Sequence, residues 1–155
     1  MSAEENKAIV RRYFEELWNK GDLSFIEEYI GPDVTHAWGH ETRESWRVAL
    51  SAWLTAFPDF RYHVDELVAE GDTVAANTHF TATHRGVYHH RKAGPWPPTG
   101  ETIDFREMIF FQLADGKIVG HWEAWDSTAF DQLLAGEPPQ ATTQSLRGRK
   151  VGGKR

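Results

Sequence analysis

The segment from Lys117 to Asp126 has the residue types and spacing best suited to chemistry in this chain. It follows an Asp115-Gly116 turn, and its alternation predicts a strand whose successive side chains point to opposite faces. One predicted face is apolar or small until it ends in an acid: Ile118, Gly120, Trp122, Ala124 and Asp126. Because a carboxyl desolvated beside an indole disfavours its ionised form, we expect its pKa to rise towards that of a general acid or base.

Histidines on two other predicted strands are further candidates for proton transfer. His84 ends an apolar row of one strand, and His36 shares a face with Trp38 on another. Imidazole exchanges protons near neutral pH, so His84 and Asp126 would form an acid/base pair. His36 adds a ring nitrogen, but a histidine at such a place is more often a packed, hydrogen-bonded residue. The alternative is structural: Asp126 would be the N-cap of a helix over residues 127–134, and His84 would hold a loop by a hydrogen bond.

The elements that position these residues are predicted from hydrophobic periodicity. The helical period predicts N-terminal helices over Ala3–Lys20, over Leu23–Ile30, and from Thr42 to the residue before Pro58. The strand period then predicts, besides a brief strand over Asp33–Trp38, four long strands over Phe60–Ala69, Thr73–Tyr88, Glu101–Leu113 and Lys117–Trp125. A loop is expected over residues 89–100 and a last helical turn over Ser127–Leu134.

Helices followed by a meander of antiparallel strands indicate an α+β fold. The sheet must curl to bury one face, so we expect a cone-shaped half-barrel of cystatin-like form. The N-terminal helices would pack in its concavity, with a pocket between helices and sheet. A chain of 155 residues suits one domain, predicted here over residues 1–136, with a flexible basic tail over residues 137–155.

Composition narrows the choice of partner. The chain has 7 Trp, 9 Phe and 4 Tyr, which suits a site for a small hydrophobic or aromatic substrate, although the same residues could simply fill a core. The net charge is −6, and five of the 17 Lys and Arg lie in the tail. Residues 1–139 contain the other 12 basic residues and all 23 acidic ones, a charge of about −11, which argues against nucleic-acid binding.

Several kinds of site are excluded or not expected. The chain has no Cys, so disulfides and thiolate catalysis are excluded. No apolar run reaches the roughly 20 residues of a membrane span and no signal peptide is predicted, so we expect a cytoplasmic protein without membrane contact. We identify no phosphate loop, nucleophile elbow or dinucleotide fingerprint, and no focused metal-ligand spacing. Neither a metal nor another cofactor is therefore expected.

Four stretches, taken together, carry a resemblance to a known family. They are Asn6–Asp22, Thr83-His84-Arg85-Gly86 followed by Pro97-Pro98-Thr99-Gly100, Asp115-Gly116-Lys117-Ile118, and Trp122-x-x-x-Asp126. Over about residues 6–136 the chain resembles the SnoaL-like polyketide cyclases of the nuclear transport factor 2-like superfamily. The resemblance implies a cofactor-free cyclase that closes a ring by intramolecular aldol chemistry. It places the acid/base carboxylate at Asp126, with His84 and His36 as candidate donors to the enolate.

The same resemblance suggests a set of substrate-binding side chains, mostly aromatic. They are Tyr13, Trp38, Trp53, Phe80, Phe110, Gln112 and Trp122. Many relatives carry a basic residue at the position of Gln112, which can donate a hydrogen bond but cannot carry charge.

Three functions remain open from the sequence. The first is an aldol-type cyclase, or a related isomerase or lyase, acting on a polyketide-like or aromatic compound. The second is an epoxide hydrolase or epoxide-opening cyclase, for which Asp104 or Glu107 would supply a second carboxylate. The third is a non-catalytic binding domain whose pocket is filled by its own aromatic side chains. Because both faces of the predicted strands are partly apolar, we also expect a homodimer or higher homo-oligomer.

Overall fold

Four α-helices and one π-helix accompany two sheets in the computed structural model, which describes residues 1–37, 39–90 and 93–137. The α-helices are α1 (Ala3–Arg12), α2 (Ser24–Tyr29), α3 (Arg43–Ala56) and α4 (Ser127–Leu134), and the π-helix covers Tyr13–Asn19 directly after α1. Helices that precede a large curved, open sheet confirm the predicted α+β class. None of the helices in these described ranges has the length and apolar character needed to cross a membrane.

Six of the strands form the large mixed sheet. The strands are β1 (Ile30–His36), β2 (Gly39–Thr42), β3 (Arg61–Glu70), β4 (Thr73–Thr83), β5 (Tyr88–His90), β6 (Ala93–Trp96), β7 (Thr102–Ala114) and β8 (Lys117–Trp125). The order in the large sheet is β2-β1-β8-β7-β4-β3, and β5 pairs with β6 separately. Within the large sheet the β1–β8 pair is parallel and the other neighbours are antiparallel.

The N-terminal helices begin where local chemistry favours them. Ser2 and Glu5 form a capping box, in which the Glu5 N–H donates to Ser2 Oγ over 3.2 Å and the Ser2 N–H donates to the Glu5 carboxylate over 2.7 Å. Thr42 caps α3 by accepting from the Ser45 N–H. The apolar stripes then pack on the sheet, and they bury Ile9, Val10, Tyr13, Phe14, Leu17, Trp46 and Leu50.

A β-bulge at Val119 reverses the faces of β8. Gln112 pairs with Gly120 while Leu113 pairs with Ile118, so Val119 is an extra residue in the ladder. Before the bulge Ile118 is buried. After it the odd-numbered residues His121, Glu123 and Trp125 face the interior, and the even-numbered residues Trp122, Ala124 and Asp126 face outwards. The prediction that Ile118 and Asp126 share one interior face is therefore wrong, because strict alternation assumes a ladder without extra residues.

The region after β4 also differs from the prediction. The strand ends at Thr83 instead of Tyr88, because the chain turns to bind the end of α3: the N–H groups of Arg85 and Gly86 both donate to the Ala56 carbonyl, at 2.9 and 3.0 Å. Part of the expected loop over residues 89–100 forms the hairpin of β5 and β6, and β2 was not predicted. The predicted tail over 137–155 lies outside the described residues apart from Glu137.

The two parts of the second stretch that carries the family resemblance bind each other in this region. The Thr99 N–H donates to His84 Nδ1 over 3.3 Å, and backbone hydrogen bonds join His84 to Glu101 and Gly100. Gly86 then passes so close to α3 that an added Cβ would lie 2.3 Å from the Thr55 carbonyl oxygen. Since that oxygen belongs to backbone, the contact cannot be relieved by a side-chain rotation.

We expect Gly86→Ala to lower the free energy of unfolding by about 1–3 kcal/mol, because the new methyl group forces the loop away from α3. Urea unfolding followed by Trp fluorescence measures the change. The neighbouring Val87→Ala, at an exposed position, serves as the control and should alter stability by less than about 0.5 kcal/mol. Equal unfolding midpoints for the Gly86→Ala and Val87→Ala variants would contradict the close contact.

Candidate active site

The concave side of the sheet holds a group of ionisable side chains among aromatic rings. We call His36, Glu107, His121 and Glu123 the interior polar cluster. His36 comes from β1, Glu107 from β7, and the other two from the part of β8 after the bulge. His36, Glu107 and His121 are buried, while Glu123 is half-buried. Charged or titratable groups at such depth are rare in cores that serve packing alone.

Glu107 is the most deeply buried acid of the cluster, with 2% of its surface exposed. The Tyr62 hydroxyl donates to Glu107 Oε2 over 2.7 Å, and the Thr78 hydroxyl donates to the Glu107 carbonyl over 3.0 Å. Burial raises the pKa of Glu107 to about 8, and the negative charge of Glu123 adds to this rise. The Glu107 side chain is therefore a neutral carboxylic acid at pH 7.

The two acids are neighbours across one strand pair. Glu107 lies opposite Trp125 and Ile109 lies opposite Glu123, so the two carboxyl-bearing residues are diagonal partners on the interior face. Two like charges held this close in a poorly hydrated interior cannot both ionise easily. The arrangement favours one protonated carboxyl beside one that accepts protons, which is how paired acids divide the acid and base roles in enzymes.

His121 is the ring around which the cluster is packed. Burial, together with the charge of His36, lowers the pKa of His121 to about 3, so its imidazole is neutral. Its Nε2 lies 3.3 Å from the Tyr13 hydroxyl, and the His36 ring is stacked on it at a centroid distance of 5.5 Å. The Trp46 indole meets the His121 ring edge-on at 5.1 Å. A neutral imidazole held this rigidly can donate or accept a single hydrogen bond in a fixed direction.

Three members of the cluster also have the chemistry of metal ligands. One ligand atom each of His36, His121 and Glu123 lies within 4.8 Å of the other two. Residues i and i+2 of a strand share a face, which explains why His121 and Glu123 converge. The third ligand comes from the neighbouring strand, where His36 pairs directly with His121.

The structure places Asp126 outside this interior. Asp126 is exposed and caps α4, with its Oδ1 accepting the Ala129 N–H over 2.9 Å. The expected desolvated position beside indoles is wrong, and its physical cause is the bulge at Val119. The structural alternative, an N-cap of the helix over Ser127–Leu134, is what the geometry shows. A catalytic role for Asp126 stays a prediction.

The two predicted histidines have different surroundings. His36 belongs to the interior polar cluster. His84 is buried directly after β4, where its ring is stacked on Phe57 at 5.0 Å, and burial lowers its pKa. Across the sheet, His121 pairs with Phe111, and Phe111 pairs with Val74 of β4. Val74 comes ten residues before His84, so His84 lies roughly 30 Å from the level of His121 along the strand direction. His84 is therefore not brought together with His36 or with the acids.

Among the predicted substrate-binding residues, Tyr13, Trp53 and Phe80 face the interior. Tyr13 contacts His121, and Trp53 lies in an aromatic wall that includes Phe80 at 6.0 Å and Phe130 at 5.2 Å. Side chains of the protein thus fill much of the concavity in which an open pocket was expected. The half-buried members of this region, which mark its accessible side, are Trp53, Phe105, Glu123 and Trp125.

The other substrate-binding candidates are not in the interior. Phe110 and Trp122 are on the outer face, 54% and 37% exposed, and Gln112 accepts a hydrogen bond there from the Thr73 hydroxyl. The expectation that these side chains line the pocket is wrong, because β7 buries its odd-numbered residues and β8 is reversed by the bulge. Trp38 lies outside the described residues.

Two surface depressions lie elsewhere on the molecule. One has a volume of about 400 Å³, and Asp59, Thr83 and Asp104 are among its lining residues. The second, of about 340 Å³, has Arg11, Arg61 and Tyr62 among its lining residues. Neither depression is lined by a member of the interior polar cluster, so we assign the candidate site from the cluster's chemistry and not from surface concavity.

Sequence reasoning missed His121, Glu123 and Tyr62. The signal for the first two was present, since His121-Trp122-Glu123 is a His-x-Glu spacing on a predicted strand. A second signal was Gly120, because an isolated Gly inside a strand pattern often marks a bulge. The Trp122 indole occupies the space that a Cβ on Gly120 would need, at 2.5 Å. Nothing in the sequence pairs Tyr62 with Glu107, whose contact spans 45 positions.

Comparison with known proteins agrees with this architecture. The family model of the SnoaL-like polyketide cyclases matches residues 8–133, and the chain therefore belongs to that family. Its structure is similar to AclR, a proposed hydroxylase from Streptomyces galilaeus, at 28% identity and a TM-score of 0.74, over 91% of this chain and 87% of AclR. No curated protein matches the sequence.

Two further solved structures share the fold. A proposed SnoaL-like polyketide cyclase from Jannaschia sp. CCS1 is similar at 23% identity and a TM-score of 0.76, over 88% of this chain and 95% of that one. IdmH, a proposed polyketide cyclase from Streptomyces antibioticus, is similar at 24% identity and a TM-score of 0.66, over 84% of this chain and 98% of IdmH.

The buried acid predicts a pH-dependent stability. Unfolded Glu107 loses its proton near pH 4.5 and the folded side chain keeps it until about pH 8, so the folded state holds more protons in between. Its contribution therefore makes stability fall as pH rises through this window, by up to about 1.4 kcal/mol per pH unit. Glu107→Gln keeps an acceptor for Tyr62 but does not titrate, so this slope should disappear.

Urea unfolding of both proteins at pH 5, 6.5 and 8 tests this expectation. The stability of the Glu107→Gln variant relative to the parent should increase at each step to higher pH. Parallel pH dependences of the two proteins would show that Glu107 is not protonated in the folded state.

Proposed function

We propose that this protein is a small-molecule enzyme that uses the interior polar cluster for acid/base catalysis. The proposed reaction is an intramolecular aldol-type cyclisation, or a related isomerase or lyase step, on a polyketide-like or aromatic compound. The observation that carries the proposal is the pair of carboxyl groups in one largely buried interior, with Glu107 bonded to Tyr62 and Glu123 half-buried beside it. Membership of the SnoaL-like polyketide cyclase family supports the same class of reaction.

The proposed roles follow from protonation and position. Glu123, on the accessible side, takes a proton from the acidic carbon next to a substrate carbonyl. The enolate oxygen that forms accepts hydrogen bonds from the imidazole N–H groups of His36 or His121. The enolate carbon then attacks a second carbonyl of the same molecule, and Glu107 gives its proton to the alkoxide. Proton transfer from Glu123 back to Glu107, directly or through solvent, restores the starting state.

The aromatic wall supports a flat, hydrophobic substrate. The rings of Trp53, Trp125 and Phe130 contact one another at 5.2–6.3 Å. Trp53 and Trp125 are half-buried, and Trp125 lies opposite Glu107 in the β7–β8 ladder. Such surfaces hold a planar compound in a folded conformation, which brings its reacting carbons together. Because the wall is packed against itself, we expect substrate binding to require rotation of these side chains.

A domain that only binds ligands, or only packs, is less consistent with the interior. Burying an ionisable carboxyl costs stability unless its charge is balanced, and an apolar residue of similar size would avoid that cost. Glu107 is held as a neutral acid with a defined hydrogen-bond partner. Ionisable groups kept in this way are a characteristic of catalytic sites.

Epoxide opening is the second candidate, because that reaction specifically uses two carboxyl groups. Glu107 would protonate the epoxide oxygen while Glu123 activates water or an internal hydroxyl group. Of the two second acids expected from the sequence, Glu107 is inside the fold and Asp104 is exposed on the outer face. The sequence-based hypothesis paired this second acid with Asp126, whereas the present proposal pairs Glu107 with Glu123.

Deuterium exchange at the α-carbons of 2-tetralone, a bicyclic aromatic ketone, tests the proposed proton abstraction without knowledge of the natural substrate. The parent protein should accelerate loss of the ¹H NMR signals in D₂O. Glu123→Gln should reduce that acceleration by about 10²–10⁴-fold. The matched variant Asp126→Asn should stay within about twofold of the parent, because Asn is also a favoured N-cap residue.

The outcomes separate the candidate roles. If the exchange rate fell strongly in Asp126→Asn and not in Glu123→Gln, Asp126 would be the base, and the proposal would be contradicted. Hydrolysis of indene oxide without exchange of 2-tetralone, lost in both Glu107→Gln and Glu123→Gln, would favour epoxide opening. Saturable quenching of Trp fluorescence by these probes without either reaction would leave only a binding protein.

We further propose that the outer face of the sheet forms a homodimer interface. Val68 pairs with Ala75, Ala75 with Phe110, and Phe110 with Trp122, so one apolar row crosses four strands. Val68, Phe110 and Trp122 are exposed, as is the adjacent Met108. A contiguous apolar row on a sheet face is typical of a surface covered by another chain, and the self-complementary partner is a second copy.

Light scattering coupled to size exclusion at micromolar concentration should show a dimer. Phe110→Ser removes the central ring of the row and should shift the population to monomer at the same concentration. Val48→Ser, at an exposed position on α3, is the control and should remain dimeric. A monomeric parent protein would contradict the interface.

The cytoplasmic location expected from the sequence stays a prediction.

A further inference from the structure

The most compact group of potential metal ligands lies within the interior polar cluster. One ligand atom each of His36, His121 and Glu123 lies within 4.8 Å of the other two. Adjacent strands fix all three residues: His121 and Glu123 are two positions apart on β8, and His36 pairs with His121 across the parallel β1–β8 ladder. The backbone positions of the three residues are therefore fixed by two paired strands.

The ring of His121 supplies a second, independent observation. Its Nδ1 is buried and has no hydrogen-bond partner within residues 1–37, 39–90 and 93–137. Its other nitrogen, Nε2, lies 3.3 Å from the Tyr13 hydroxyl. With the proton on Nε2 and shared with Tyr13, the Nδ1 lone pair is available for a ligand. Metal-bound histidines usually donate their second N–H to such a partner, which fixes the tautomer and the ring orientation.

The donor set corresponds to a known class of metal chemistry. Two imidazoles and one carboxylate, with a fourth position open to water or substrate, are typical ligands of Zn²⁺ in sites with three protein ligands. Zn–N and Zn–O bonds of about 2.0–2.2 Å place ligand atoms about 3.3 Å apart in a tetrahedron. The present atoms would need to approach one another by at most about 1.5 Å, which side-chain rotation can supply.

We propose that His36, His121 and Glu123 form a binding site for a divalent transition-metal ion, with Zn²⁺ as the best fit. This inference does not depend on the proposed acid/base function and has a consequence for it. A bound ion would occupy the carboxylate lone pair that Glu123 uses as a base and the nitrogens that serve the enolate. The metal-bound form and the acid/base form of the protein are then mutually exclusive, so Zn²⁺ inhibits proton abstraction.

Isothermal titration of chelator-stripped, untagged full-length protein with Zn²⁺ tests the site directly. One ion should bind per chain, and Co²⁺ in its place should give the visible absorption of a tetrahedral or five-coordinate complex. Glu123→Gln and His36→Gln should each weaken Zn²⁺ binding by at least about tenfold, since each removes one of three ligands. Thermal melts of both variants establish that they fold.

The outer face supplies a matched control. His79 and His63 are stacked there at 4.6 Å, and His79 Nδ1 lies 3.3 Å from Asp65, so this is a second His and carboxylate group on the same sheet. His79→Gln should leave Zn²⁺ affinity unchanged. Zn²⁺ binding that is lost in His79→Gln and retained in Glu123→Gln, or a dissociation constant for the parent above about 100 μM, would overturn the proposal.

Failure of this proposal and failure of the proposed function give different results. If the metal site is absent, 2-tetralone exchange proceeds equally with and without Zn²⁺. If the acid/base function is absent, calorimetry still reports one bound ion. Where both hold, added Zn²⁺ suppresses the exchange, and a chelator restores it.

Discussion

One extra residue in β8, Val119, decides which side chains of that strand enter the interior. Without the bulge, Trp122 and Asp126 would face the helices, and His121 and Glu123 would face outwards. With it, the outer face receives Trp122, and the interior receives an imidazole and a carboxyl group. Side chains of a strand alternate between two faces, so a single inserted residue moves every following side chain to the opposite face. The chemistry of the concavity therefore depends on a backbone feature.

The interior polar cluster lowers stability, and the surrounding structure limits that cost. Glu107 remains protonated and bonded to Tyr62, and the imidazole of His121 remains neutral. Edge-to-face contacts of Tyr13 with Phe14, Trp46 and Phe111, at 5.0–5.7 Å, keep the surroundings rigid and dry. Such packing holds catalytic groups in position, but it also leaves little free space. The half-buried rings of Trp53 and Trp125 are the least enclosed part of the aromatic wall.

The architecture was predictable because its signals are local. Ser2, Thr42 and Gly71 mark helix starts and a turn, and the alternation of β4 predicted the buried row from Val74 to Ala82. The candidate site was predicted only in part. His36 was found from its predicted strand and Tyr13 from the family resemblance, whereas Asp126 was assigned to the wrong face. Alternation cannot show where a ladder gains a residue, and no local rule joins Glu107 to Tyr62 or His36 to His121.

The account depends on a carboxyl group that stays protonated inside the fold. Carbon-13 NMR of protein labelled at the glutamate side-chain carboxyl carbon, recorded from pH 4 to pH 9, observes every Glu directly. We predict one signal that titrates near pH 8 and is absent from Glu107→Gln. If every glutamate signal of the parent protein titrated between about pH 4 and 5, the buried acid and the chemistry assigned to it would be contradicted.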